Sequence, residues 1–164
     1  MQHVTNRWPP RGPAREVRIE HWSARTFYAS QCRFFIDVPL DMSGIVLGAI
    51  REAMQHGLRL LPGGATLATD TLYRGAVLIE VQDDGREDHN IVRMSGELLA
   101  RALPDKGVRL RAELDELVRW SIDIGYDVTG CYIEYSPHES IPGAVRPSTV
   151  FASIKGEDAL GESA

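Results

Sequence analysis

The chain has 164 residues, 43% of them hydrophobic and 25% charged, with a formal net charge of −5 and two cysteines. That length supports one domain whose core needs neither disulfides nor metal, and the balance of apolar to charged residues is that of an ordinary globular protein. No run of about 18 apolar residues marks a transmembrane helix; the arginines near the N-terminus lack the apolar segment of a secretory signal, and Cys32 and Cys131 have no C-x-x-C spacing.

A reduced, cytoplasmic setting is therefore expected. The charge is unevenly spread: residues 1–33 hold six Arg against Glu16 and Glu20, net +4, which leaves −9 for the other 131. An acidic body argues against nonspecific nucleic-acid binding, because that affinity comes chiefly from neutralised phosphates.

Residues 1–15 contain three prolines and no periodicity, so they read as a flexible basic arm ahead of a single domain over 16–155. Arg7, Pro10 and Pro13 fit an R-x-x-P-x-x-P spacing, a pattern that short Pro-rich tracts also produce by chance. Val17, Ile19 and His21 alternate with Arg18, Glu20 and Trp22, which predicts a half-buried strand with the first three on its apolar face. A second, antiparallel strand is predicted from Thr26 to Val38, ended by Pro39. Asp41 or Ser43 then caps a helix over 43–56 that gathers Val46, Ala49, Ile50, Ala53 and Met54 on one side and stops at Gly57.

Pro62, Gly63 and Gly64 close a connector, followed by a Thr-rich strand in 65–73 and a central strand from Gly75 to Gln82. Asp84 and Gly85 suit a two-residue hairpin returning a polar edge strand over 87–93. Ser95 is placed to cap a helix running to Leu103, which Pro104 ends. The clearest helix covers 109–124, with Leu110, Leu114, Leu117, Val118 and Ser121 as its stripe and Gly125 as its stop. Asp127 to Tyr135 reads as a strand, 137–147 as a loop, Thr149 to Lys155 as a last strand, and 156–164 as a disordered acidic tail. Met42-Ser43-Gly44 and Met94-Ser95-Gly96 echo one another across 52 residues, a faint hint of a duplicated strand-to-helix unit.

These elements predict a two-layer α+β domain: a mainly antiparallel sheet of about six strands with helices 43–56, 95–103 and 109–124 on one face. If the other face carries Trp22, Phe27 and Phe35 in the open, a second copy or another protein must cover it, so a homodimer is expected.

No P-loop, dinucleotide fingerprint, zinc spacing or nucleophile elbow is present, and neither a cofactor nor a metal is implied. One candidate site lies near loop 137–147, where His138 could act as general base with Glu134 or Glu139 as its partner, although a solvated loop beside an inert buried Cys131 is the commoner outcome for such a pattern. Glu87, Asp88, His89 and Asn90 beside the Asp83-Asp84-Gly85 turn offer oxygen and nitrogen donors without the order of a calcium loop, which favours a charged hairpin tip that keeps an edge strand soluble. His21 reads as a core or interface histidine. Trp120 falls off its helix stripe, at a core rim or a contact.

The favoured function is protein–protein binding, as an adaptor, inhibitor or accessory subunit, through Trp22, Phe27, Phe35 and Trp120. The alternative is a small enzyme or ligand-binding domain with its pocket near loop 137–147.

Overall fold

Long alternating segments separated by two amphipathic helices dictate the architecture, which a computed structural model describes for residues 16–32, 42–71, 74–105 and 107–155. The order is β1 (Val17–Cys32), α1 (Met42–Gln55), β2 (Thr66–Thr71), β3 (Arg74–Glu80), β4 (Ile91–Ala102), α2 (Leu110–Asp123), β5 (Asp127–Pro137) and β6 (Val145–Lys155). The six strands pair antiparallel in the order β1-β3-β2-β5-β6-β4, and β4 returns to β1 to close a barrel. Closure removes sheet edges altogether.

The connectivity is two successive β-α-β-β units. Within each, the first strand pairs the third and the third pairs the second; β1 with β4 and β2 with β5 then join the halves. The Met-Ser-Gly echo does not mark this repetition. Met42-Ser43-Gly44 opens α1, whereas Met94-Ser95-Gly96 lies inside β4, the counterpart of β1.

Alternation along each strand separates three bodies of packing. Outside, α1 sets Val46 and Ala49 against Val77 and Ile79, and α2 sets Leu114 and Leu117 against Ile133, Tyr135, Val150 and Ala152. Inside, Trp22, Phe27, Leu67, Leu78, Leu98, Ala100 and Phe151 cluster with half-buried Tyr132, so every strand contributes to the interior. The expected stripe of α2 is buried at Leu114, Leu117 and Ser121. On α1 the expectation is corrected at Met54, which is 59% exposed. Gly57 and Gly125 have φ of +77° and +104° and turn the chain out of the two helices in the left-handed region that glycine favours.

Four further expectations are corrected. The segment 95–103 is strand rather than helix, so there are two helices. Leu98, Leu99, Ala100 and Arg101 are all buried, because β4 packs inward on the barrel and outward under α2, and an apolar run buried on both sides has no diagnostic period. Strands 17–22 and 26–32 are one continuous β1 with a bulge between Trp22 and Arg25; residues 33–38 lie outside the described residues. Gly85 does turn the chain, yet no hairpin forms there: β3 and β4 flank β1 on either side and do not pair. The inward face of early β1 is also opposite to the expected one. Trp22 is buried while Ile19 is 50% exposed, because the largest ring gains most from leaving water.

Polar contacts tie the helices to the barrel. Ser43 does not cap its own helix; its hydroxyl accepts the Val145 N–H at 3.1 Å. Glu52 on α1 accepts the Tyr28 hydroxyl at 2.6 Å and the Ser30 hydroxyl at 2.7 Å. These bonds, Tyr28 first, hold the Glu52 carboxyl below its ordinary value. A depressed folded-state pKa contributes stability that is present above the ordinary carboxylate value and lost as pH falls through the folded value. The stability gap between the native protein and Glu52→Gln is thus expected to shrink in urea titrations run from about pH 6 to about pH 3. A gap independent of pH would show that the ionised carboxylate is not what α1 is held by. Among the described residues, no helix is long and apolar enough to cross a membrane.

Candidate functional site

The bulge in β1 creates the most unusual cluster in the chain. Residues three apart point to opposite faces of a regular strand, but the extra residue between Trp22 and Arg25 brings both to the barrel interior. The Arg25 guanidinium lies 4.2 Å from the Trp22 ring centroid and 5.6 Å from that of Phe27. It donates through Nε and Nη2 to the two oxygens of Glu80 at 2.8 and 2.7 Å, a fork-to-fork pair. Glu80 sits opposite Phe27 on β3, is 6% exposed, and also accepts the Ala65 N–H at 2.9 Å. The Arg25 bonds hold its carboxyl below the ordinary range against the opposing push of burial, and Glu80 in turn raises the Arg25 pKa. Gly64 is required here: a Cβ would stand 3.0 Å from that of Glu80 and 2.9 Å from the Leu61 carbonyl.

The aromatic lining continues around the interior. Trp22 meets Phe151 edge-on with centroids 5.3 Å apart and stacks on Phe27 at 6.3 Å. Its indole N–H donates to Glu20 at 3.3 Å, and Glu20 is paired with Arg18 at 2.9 Å. On β5, Tyr132 and Glu134 share the inward face, opposite Phe151 and Thr149 of β6. Glycine at 130 leaves room for the Tyr132 ring, since a Cβ there would approach its hydroxyl to 3.1 Å.

Glu134 differs from the other two carboxylates. It is half-buried, and among the described residues its carboxylate has no hydrogen-bond or ion-pair partner. Burial pushes its pKa up, and Glu20 and Glu80 add to that while Arg25 and Arg18 oppose it. The inward cluster thus comprises three carboxylates and two guanidinium groups on an aromatic wall. Its aromatic faces and excess of carboxylates are chemistry that favours a positive charge.

The residues singled out from sequence fall in different places. Glu134 belongs to the interior cluster. His138 is in the β5–β6 turn, where its Nδ1 accepts the N–H groups of Ser140 and Ile141 at 3.1 and 3.2 Å, and Glu139 is exposed beside it. Trp22 and Phe27 are 7% and 0% exposed, enclosed by the barrel itself, so they do not form an open patch awaiting a second copy. Phe35 lies outside the described residues. Trp120 is half-buried against the α2 cluster. At the acidic tip, Asp83 is held by Arg93 through two bonds of 3.1 Å and Asp84 by Arg86, and His21 is exposed near Glu97. No local pattern marks Arg25 and Glu80, because their pairing spans 55 residues and depends on a bulge. A charged residue ending the apolar run of β3 was the one available signal.

No protein-family model matches the chain, and no curated protein matches it. Solved structures do. The crystal structure of the EcmrR C-terminal domain aligns over 86% of this chain and 98% of that one, with a TM-score of 0.63 and 13% identity. The fold is that of the EcmrR C-terminal domain. The EcmrR chain in a cryo-EM structure of an EcmrR–DNA complex aligns with a TM-score of 0.61 and 16% identity over 86% of this chain, which spans 57% of that longer chain. SAV2435 bound to tetraphenylphosphonium aligns with a TM-score of 0.49 and 11% identity. At such identities the EcmrR likeness concerns the fold alone.

Proposed function

We propose that this chain is a small-molecule-binding domain whose barrel interior takes a flat aromatic organic cation. The observation that carries the reading is Glu134, a half-buried carboxylate with no partner among the described residues, on the same inward face as Tyr132. A desolvated carboxylate gains most from a cation that brings its own apolar surface, and each cation–ring contact adds about 0.5–2 kcal/mol. This is the ligand-binding alternative read from the sequence, moved from the 137–147 turn to the barrel interior. EcmrR has been seen in complex with DNA; for the present chain, a net charge of −5 favours ligand capture over direct DNA binding.

The test is titration with rhodamine 6G, a flat aromatic cation, beside fluorescein, its anionic relative, followed by fluorescence anisotropy. Rhodamine is expected to saturate one site, and Glu134→Gln is expected to weaken it about tenfold, or about 1.4 kcal/mol. Equal binding of both dyes, or no effect of Glu134→Gln, would remove the proposal.

A second reading, binding of a protein partner, is favoured by apolar side chains left on the outer helix faces. Leu47 and Met54 of α1 are 47% and 59% exposed, and Ile122 of α2 is 57% exposed.

A further inference from the structure

We infer that Arg25 is a built-in occupant of this site, a displaceable plug that stands where the charged end of a planar amidinium or guanidinium ligand would bind. The inference rests on the cation-binding reading above and deepens it. Its basis is the set of contacts that Arg25 enjoys. The guanidinium is forked onto both oxygens of Glu80 at 2.8 and 2.7 Å while its carbon stands 4.2 Å from the Trp22 centroid. A carboxylate fork beneath an aromatic face is the recognition chemistry of a flat, delocalised cation with parallel N–H donors.

Nothing in regular strand geometry would place residue 25 there; the bulge after Trp22 does so. The plug is also reachable. The Arg25 side chain is 26% exposed whereas Glu80 is 6% exposed, so the cation is the solvent-accessible member of the pair.

Because Arg25 stays tethered to the chain, a bound monocation takes the formal charge of the three carboxylates and two guanidinium groups from −1 to 0. Aryl amidines fit the exchange with Arg25 better than ammonium ions, because only a planar two-donor group reproduces the fork.

The experiment compares the native protein, Arg25→Ala and the double variant Arg25→Ala with Glu80→Gln, using 4′,6-diamidino-2-phenylindole, a fluorescent aryl bis-amidine. Arg25→Ala is expected to bind the probe at least tenfold more tightly than the native protein, and the double variant to lose that gain. Benzamidine should also raise the melting temperature of Arg25→Ala in a saturable way, and not that of the double variant, which keeps the test decisive if the single variant is partly unfolded. Should Arg25→Ala bind no more tightly than the native protein while rhodamine still depends on Glu134, the plug is wrong and the cation site stands. If none of the three proteins binds either cation, both fall.

Discussion

Arg101→Ala is expected to destabilise the protein by about 3 kcal/mol, read as a lower urea midpoint with an unchanged slope. Arg101 lies on β4 beneath α2 with its side chain 0% exposed, donates to Glu116 at 3.0 Å and stands 3.8 Å from Glu113. Alanine would leave a cavity and take the guanidinium away from Glu116 and from Glu113, which is only 13% exposed. Methionine at the same position should recover the part of the loss that comes from the cavity, and leave the part that comes from removing the guanidinium. Glu116→Gln is expected to cost less, because Glu116 is 32% exposed and water can solvate what it leaves. A loss below about 1 kcal/mol for Arg101→Ala would mean that α2 is held by Leu114 and Leu117 alone.

Trp22→Ala is expected to lose about 3–5 kcal/mol and, in whatever fraction stays folded, more than tenfold in affinity for rhodamine. Trp22 packs on Phe27 and Phe151, anchors Glu20 through its indole N–H and supplies the face over which the Arg25 guanidinium lies. Trp22→Phe separates these roles. A phenyl ring keeps most of the packing but is a poorer cation partner and cannot donate to Glu20, so stability should fall by only about 1–2 kcal/mol while cation affinity still drops severalfold. Denaturant unfolding and dye titration on the same samples give both numbers. Native-like affinity in Trp22→Phe would locate the cation away from the indole.

These two residues also show where sequence reading succeeds and where it stops. The α2 stripe, the stop at Gly125 and the strand beyond it were legible because helix period and glycine conformation are local properties, decided within a few residues. The placement of Ile133 and Tyr135 on the outer face of β5 beneath α2, with half-buried Cys131 beside them, follows from the same alternation. From sequence Glu134 reads as a partner of His138, yet neighbours along the chain need not be neighbours in space. In the fold that side chain turns inward, while His138 serves the backbone of its own turn.

Arg101 and its neighbours misled for a different reason. SGELLARA carries good helix formers, and propensities of a few tenths of a kcal/mol per residue yield to burial on both faces of a closed sheet. The edge strand and the open aromatic face were reasonable for a flat sheet and vanish once β4 pairs with β1, since that closure turns Trp22 and Phe27 from exposed surface into interior.

Composition and periodicity by themselves determined an acidic α+β chain rich in antiparallel strand, with the two helices placed to within a residue or two. Only tertiary structure decided that six strands close on themselves, that a single bulge turns Arg25 inward, and that Glu20, Glu80 and Glu134 from three strands converge on one aromatic wall. The physical reason is range. Backbone preferences act over a few residues and leave a trace in order and spacing, whereas pairing across tens of residues depends on register, which the letters of one strand do not contain without those of its partner.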